Sequence, residues 1–187
     1  MLYDYEFQAV VNWLDFAAIA KSSRAHTLIT GISSHMEFDL NNYQPDWLSQ
    51  IETQRANKFY RKFHFRGKAK SDDLCAVVKD PNKQIIASGI IRRYHHFELL
   101  VAVAVAPHVQ NKGIGSKLLK KLSTRFTCNT FTFPYSNLVH YYDSFGFDLV
   151  EPAGALAEVH NLYERYVNQG RDIKIMRCST TLFNKQA

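Results

Sequence analysis

Between Glu98 and Phe126 the hydrophobic positions change period. Leu99 to Ala106 form an apolar run rich in valine and closed by Pro107, which predicts a buried strand. Gln110-Asn111-Lys112-Gly113-Ile114-Gly115 is a polar turn with two glycines. Ile114, Leu118, Leu119, Leu122 and Phe126 then recur at helical spacing, with Lys117, Lys120 and Lys121 interspersed. A strand therefore feeds a glycine turn that opens a helix, and the rest of the chain is read outward from this unit.

Upstream, Phe7, Val10, Val11, Leu14 and Ala18 mark one helical face, widened by Trp13 and Phe16. Such a face joins its own core, and a homodimer contact is the alternative reading. Met36 to Leu40 reads as a first strand, and Pro45-Asp46-Trp47 as the start of a helix through Phe59 with Trp47, Leu48 and Ile51 inward. Leu74 to Lys79 and Gln84 to Tyr94 read as a hairpin around the turn Asp80-Pro81-Asn82-Lys83, with Asn82 suited to a positive φ. Downstream, Thr130 to Phe133 alternates as a strand that stops at Pro134. Leu138 to Phe145 is a short helix ended by Gly146. Phe147 to Val150 is a strand, and residues 155–168 are a helix with Leu156, Val159, Tyr163 and Val167 inward. Ile173 to Cys178 closes the series as a last strand. Strands first, then alternating strands and helices, give an α/β (α+β) domain: a mixed sheet with helices on both faces.

The glycine turn carries a chemical consequence. The first amides of a helix lack internal partners, and the helix dipole is positive there. Glycines clear the side chains that would keep an anion away, so the turn is a phosphate cradle. A P-loop requires four residues between its glycines and a lysine after the second; here one residue separates Gly113 from Gly115, and Ser116 follows. A dinucleotide fingerprint requires a third glycine where Leu118 stands. Both fail on spacing. What remains is V-x-P-x-x-Q-x-x-G-x-G, carried by Val105, Pro107, Gln110, Gly113 and Gly115. It resembles the coenzyme A pyrophosphate loop of the GNAT family of N-acetyltransferases. A second segment, Tyr142-Asp143-Ser144-Phe145-Gly146-Phe147, resembles the family's Y-x-x-x-G-F motif at the usual distance downstream.

The resemblance spans residues 36 to 178 and divides the chain into an N-terminal extension, residues 1–35, and a GNAT domain, residues 36–187. It implies the GNAT fold, a mostly antiparallel sheet that splays open beside the cradle. It also implies acetyl-CoA as co-substrate and transfer of the acetyl group to a primary amine, on a small molecule or a peptide. The implied cofactor-binding residues are Val103, Ala104, Val105, Gln110, Asn111, Lys112, Gly113, Ile114, Gly115 and Ser116. The cradle's amides take the diphosphate, and the backbone of Val103 and Val105 pairs with the pantetheine arm as though it were a strand. A backbone N–H then lies near the thioester carbonyl as an oxyanion donor. Tyr142 is the implied acid facing the sulfur: a phenol of pKa ~10 can protonate a thiolate of pKa ~8.5 held close to it. Glu98, where several relatives carry a carboxylate, is the candidate base, with His95, His96 or water alone as alternatives. One family feature departs: many relatives place Asn seven residues before the tyrosine, and here that position is Tyr135.

Composition narrows the rest. At 187 residues with 46% hydrophobic and 21% charged positions, the chain suits one globular domain. Its formal charge of +6 favours an anionic partner, and coenzyme A is one. Residues 55–70 hold seven Lys or Arg interleaved with Phe59, Tyr60, Phe63 and Phe65. Basic and aromatic residues together can bind single-stranded nucleic acid, but charge runs are more often solvated surface, so a nucleic-acid partner is not expected. In GNAT proteins this part of the chain borders the acceptor pocket, so the cluster can also favour an acidic acceptor. Three separated cysteines argue for a reducing cytoplasm, and neither a signal peptide, a membrane span nor a metal motif is read. A non-catalytic acyl-CoA-binding or protein-interaction module with a GNAT fold is the competing reading.

Overall fold

The computed structural model describes residues 38–179. The N-terminal helical face and its dimer reading, at residues 7–18, lie outside the described residues. Seven strands form one sheet in the order β1-β2-β3-β4-β5-β7-β6. They are β1 (Gln44–Trp47), β2 (Leu74–Lys79), β3 (Ile85–Arg93), β4 (Glu98–Val105), β5 (Thr130–Thr132), β6 (Phe147–Leu149) and β7 (Met176–Cys178). Only β4 and β5 run parallel; the other neighbours are antiparallel. The helices are α1 (Thr53–Lys62), α2 (Ile114–Ser123), α3 (Val139–Asp143) and α4 (Ala157–Val167).

Side-chain contacts assign the faces. Tyr60 of α1 reaches Ser88, whereas a Cβ at the next residue, Gly89, would lie 2.7 Å from Leu122 of α2. Successive strand residues face opposite ways, so α1 and α2 cover opposite faces. Val159 of α4 packs with Leu99 and Phe131, and Tyr142 of α3 packs edge-on against Phe147, which also meets Phe126 just beyond α2. α1 and α4 thus share one face, and α2 and α3 the other, as the sequence expectation of helices on both faces requires.

Several expectations are corrected. Phe38 and Asp39 are irregular and Leu40–Asn42 is a 3₁₀ turn, so no strand forms over the described part of Met36–Leu40. The segment at Pro45-Asp46-Trp47 is the edge strand β1 rather than a helix start. Pro45 and Trp47 are half-buried while Gln44 and Asp46 are exposed, and an edge strand tolerates the missing proline N–H. The helix begins only at Thr53, after a 3₁₀ turn and a capping box in which Ser49 and Glu52 satisfy each other's ends. Ile51, expected inward, is 93% exposed, and Leu156 is exposed as well. In the β2–β3 turn Lys83, not Asn82, takes the positive φ of 61°.

Candidate active site

The sheet splits between β4 and β5. The two strands pair only through Glu98–Leu100 and Thr130–Thr132. Beyond that, Tyr135 bridges to Ile173 on the far side, and among the described residues Val101–Val105 have no strand neighbour on the β5 side. All five residues are apolar yet half-exposed. A buried sheet leaves such a run uncovered only where something else is to pack on it.

β4 also carries a bulge. Ser88 faces Ala104 and Ile90 faces Val101, so Gly89 alone opposes Ala102 and Val103. Ala102 sits at φ 54°, a conformation costly for a residue with a Cβ. The extra residue explains an otherwise forbidden coincidence. Leu100, next to the α4-facing Leu99, points to the α2 face; Val105, five residues on, points there too, with its Cγ2 3.5 Å from where a Gly115 Cβ would be. Tyr60 holds this geometry. Its hydroxyl, buried from α1, donates to the Ala102 carbonyl at 2.9 Å and lies 3.0 Å from the Ser88 hydroxyl. A phenol has one proton and a carbonyl only accepts, so Ser88 donates to Tyr60.

Backbone direction follows from the pairing. The Ala106 N–H donates to Ile86 at 2.7 Å and Ala104 pairs with Ser88, so Ala104 directs its backbone groups at β3. By alternation Val103 and Val105 direct theirs into the split. The Val105 carbonyl already accepts from Gln110 Nε2 at 2.9 Å, which fixes the turn to the strand. In that turn Asn111 and Gly113 take positive φ, of 60° and 80°, and Gly113 is the N-cap of α2. The Gln110 amide donates to Pro107. Among the described residues the amides from Asn111 to Ser116 donate to no backbone acceptor. A Cβ at Gly115 would lie 3.0 Å from the Tyr141 hydroxyl. Tyr141 is half-buried, and its hydroxyl reaches the first turn of α2. Lys117 donates to the Leu40 carbonyl at 2.8 Å and so ties the segment before β1 to the same turn.

The split opens into a cleft of about 400 Å³ that passes from one face of the sheet to the other. Tyr142 lines it from α3 and Leu138 from the turn just before that helix; Arg66, Lys68, Arg92, Tyr166 and Arg171 line it from the α1 and α4 side. Burial, and secondarily the neighbouring Tyr141, push the Tyr142 hydroxyl well above the ordinary phenol range. It stays protonated at neutral pH. Glu98 is not among the lining residues: its carboxylate accepts from Thr130 Oγ1 at 3.2 Å and pairs with Arg93 at 3.6 Å. His95 and His96 are exposed in the β3–β4 turn and do not line the cleft either. Among the described residues no Asp, Glu or His lines it.

Residues 71–149 match the acetyltransferase (GNAT) domain family. Over that stretch, less than half of the chain, the sequence is similar to GNAT acetyltransferase domains. Its fold is also that of solved acetyltransferases. An N-acetylglutamate synthase from Neisseria gonorrhoeae, complexed with coenzyme A and L-arginine, is 11% identical with a TM-score of 0.52, covering 73% of this chain and 33% of that one. The ribosomal-protein-S18-alanine N-acetyltransferase from Escherichia coli is 16% identical with a TM-score of 0.50, covering 73% and 92%. At these identities the likeness is one of fold, and this chain spans about a third of the synthase's length. No curated protein matches the chain significantly in sequence. No helix among the described residues is long and apolar enough to cross a membrane, and no group of three His, Cys, Asp or Glu there could hold a metal ion.

The sequence reading missed Tyr60, Arg92, Tyr166 and Arg171. Tyr60 reads as one aromatic among several, and Arg171 stands in a polar turn more than thirty residues past the cradle and its helix. Neither position carries a local signal.

Proposed function

We propose that the protein moves the acetyl group of acetyl-CoA directly to a primary amine. The observation that carries this reading is that, among the described residues, an apolar strand edge without a strand neighbour adjoins a helix turn whose amides have no backbone acceptor. A diphosphate suits the amides of Asn111–Ser116, and an extended arm bearing amides suits the edge at Val103–Val105. Gln110 and Ala104 contribute by fixing that edge, through the Val105 carbonyl and β3 respectively. The Val103 N–H, beside the bulge, is the donor we assign to the thioester oxygen.

In this reading the amine nitrogen attacks the thioester carbon, the C–S bond breaks, and the departing thiolate takes the Tyr142 proton, which the phenolate regains from water. The proton lost by the amine goes to water. Cations lining the cleft disfavour a further positive charge there, which lowers the pKa of a bound ammonium group and eases that loss. Glu98 then serves as a strand anchor through Thr130 and Arg93 rather than as the base. Three free cysteines suit a reducing compartment, so we place the protein in the cytoplasm.

That no Asp, Glu or His among the described residues lines the cleft is the observation favouring the second reading, a module that binds acyl-CoA without turning it over. Thiol release from acetyl-CoA with a panel of amines, followed by mass measurement of the product, separates the two. Tyr142→Phe should lower kcat by about 100-fold with acetyl-CoA affinity within twofold, because only the acid is removed. Unchanged turnover refutes the assignment.

A further inference from the structure

The turn that opens α2 is walled by a part of the chain that the family match does not include. The matched residues begin at 71, whereas residues 38–43 precede β1, three places from β4 in the sheet order. They nevertheless lie against this turn. A Cβ at Gly113 would lie 3.2 Å from Leu40 Cδ2, so the Leu40 side chain closes one side of it. The Leu40 carbonyl accepts from Lys117 Nζ at 2.8 Å. That carbonyl also accepts the Tyr43 N–H at 3.2 Å, and the Asn42 N–H donates to the Asp39 carbonyl at 3.1 Å. A 3₁₀ turn over Leu40–Asn42 thus fixes where the carbonyl points.

Lys117 is unlike the lysines that follow it in α2. Its amide donates to the Gly113 carbonyl at 3.0 Å, so it stands one helical turn beyond that glycine. Helix side chains slant toward the N-terminus, which carries the Lys117 stem back over the turn that Gly113 caps. The Leu40 carbonyl then holds the ammonium there. Lys117 is half-buried, while Lys120 is exposed and its ammonium makes no hydrogen bond or ion pair among the described residues. Lys112, in the turn itself, has its ammonium 4.7 Å from the Phe38 ring centroid, and Phe38 stacks on Tyr43 at 4.7 Å. Among the described residues neither Lys112 nor Lys117 is in an ion pair. Asp39, the one acid of residues 38–43, turns its carboxylate to the Asn41 amide at 2.9 Å.

Holding a lysine in one conformation costs side-chain entropy, and one partly solvated hydrogen bond to a carbonyl contributes little against it. A charge-assisted bond to phosphate is roughly twice as strong, and the ammonium has three donors, of which the Leu40 carbonyl takes one. The amides of residues 111–116, without backbone acceptors among the described residues, favour an anion at the same turn. We propose that Lys117 is a phosphate ligand of the co-substrate and that residues 38–43 position it, through the carbonyl and side chain of Leu40. This assignment rests on the reading of coenzyme A as the ligand of the turn, but it requires no turnover. The diphosphate and the ribose phosphate share the chemistry that the ammonium recognises, and the test separates them.

The test is calorimetry on the full chain with coenzyme A and with dephospho-coenzyme A, which lacks the ribose phosphate. Lys117→Met keeps the apolar stem and removes the charge, and it should weaken coenzyme A by about tenfold. An equal loss for both ligands assigns Lys117 to the diphosphate, and a loss confined to coenzyme A assigns it to the ribose phosphate. Lys117→Arg should stay within about threefold of the unsubstituted chain. Added salt should weaken coenzyme A more for the unsubstituted chain than for Lys117→Met, a difference that a merely structural strut would not produce. Leu40→Ala should cost about fivefold in the unsubstituted chain and less than about twofold in the Lys117→Met background, because it acts through the lysine. Lys120→Met should bind within twofold of the unsubstituted chain, and near-UV circular dichroism confirms that each variant folds. Coenzyme A affinity within twofold in Lys117→Met overturns the proposal. So does an unchanged salt dependence in that variant, or an equal loss in Lys120→Met. If the unsubstituted chain binds neither ligand, the acetyl-transfer reading itself falls and takes this assignment with it.

Discussion

Tyr60→Phe isolates the contact on which the geometry of the cleft depends. The ring stays, so the packing of α1 on the sheet and the shelf under Gly67 are kept. What goes is the hydroxyl that donates to the Ala102 carbonyl and accepts from Ser88. Leaving a poorly solvated carbonyl without its donor costs about 1–3 kcal/mol. Holding Ala102 at φ 54° costs about 1–2 kcal/mol, so the two terms are of the same size. The hydroxyl is therefore what tips β4 toward the bulged form. For a chain of this length, about 2–4 °C of Tm goes with each kcal/mol, so Tm should fall by roughly 2–12 °C. The sharper readout is turnover. A misplacement of about 1 Å at a reacting centre costs about 100-fold, and relaxation of the bulge moves the Val103 N–H by that order. We expect kcat to drop by about 10- to 100-fold with acetyl-CoA affinity changed less than threefold, because the α2 turn is untouched. Glycine carries no Cβ penalty at positive φ, so Ala102→Gly added to Tyr60→Phe should recover at least about fivefold of the lost kcat. Calorimetry gives Tm, thiol release gives kcat, and near-UV circular dichroism confirms that both variants fold. Full activity in Tyr60→Phe, or no recovery in the folded double variant, refutes the claim that this hydroxyl sets the bulge.

Other outcomes follow from the same geometry. Gly67→Ala drives a methyl group into the Tyr60 ring and should lower Tm by roughly 2–12 °C, since overpacking costs about 1–3 kcal/mol; an unshifted melt contradicts the close approach. Gly115→Leu fills the turn beneath Tyr141 and should weaken acetyl-CoA binding by more than about tenfold in calorimetry, and equal affinity removes the cradle. Burial lifts the thiols of Cys75 and Cys178 to about 11, and it pushes the Tyr60 hydroxyl, like that of Tyr142, well above the ordinary range. The unfolded chain gives up these protons first, from about pH 8.5 for the thiols and about pH 10 for the tyrosines. Their contribution is intact below pH 8.5 and is lost as pH rises toward the folded values, so Tm should fall progressively between about pH 9 and 11. Replacing both cysteines by alanine should delay the onset by about one pH unit, and an unchanged onset refutes the thiol contribution.

The strand, turn and helix from Glu98 to Ser123 were legible because their signals are local: a valine run, two glycines and a helical period lie side by side. The hairpin of β2 and β3 and the helix α4 were legible for the same reason. Gln44–Trp47 was not, because four residues give too few alternations to outweigh proline's place at helix starts, and edge position is a property of the sheet. The bulge left no trace either. Leu99 to Ala106 reads as one regular strand, and Ala102 is not a residue that advertises positive φ; a tyrosine forty-two positions earlier imposes it. The cleft's charge was half-visible. The basic run from Arg55 to Lys70 stands out, but its composition does not separate Lys58 and Arg61, which do not line the cleft, from Arg66 and Lys68, which do. Arg171 joins them only because α4 returns the chain to the open side of β5. Residues that hold a ligand common to many proteins sit in a motif, since the ligand's geometry fixes their spacing. Residues that line the far side of a cleft need only converge in space, so their spacing in the chain is free. That difference is why the cradle could be read from the sequence while the three cations opposite it required the fold.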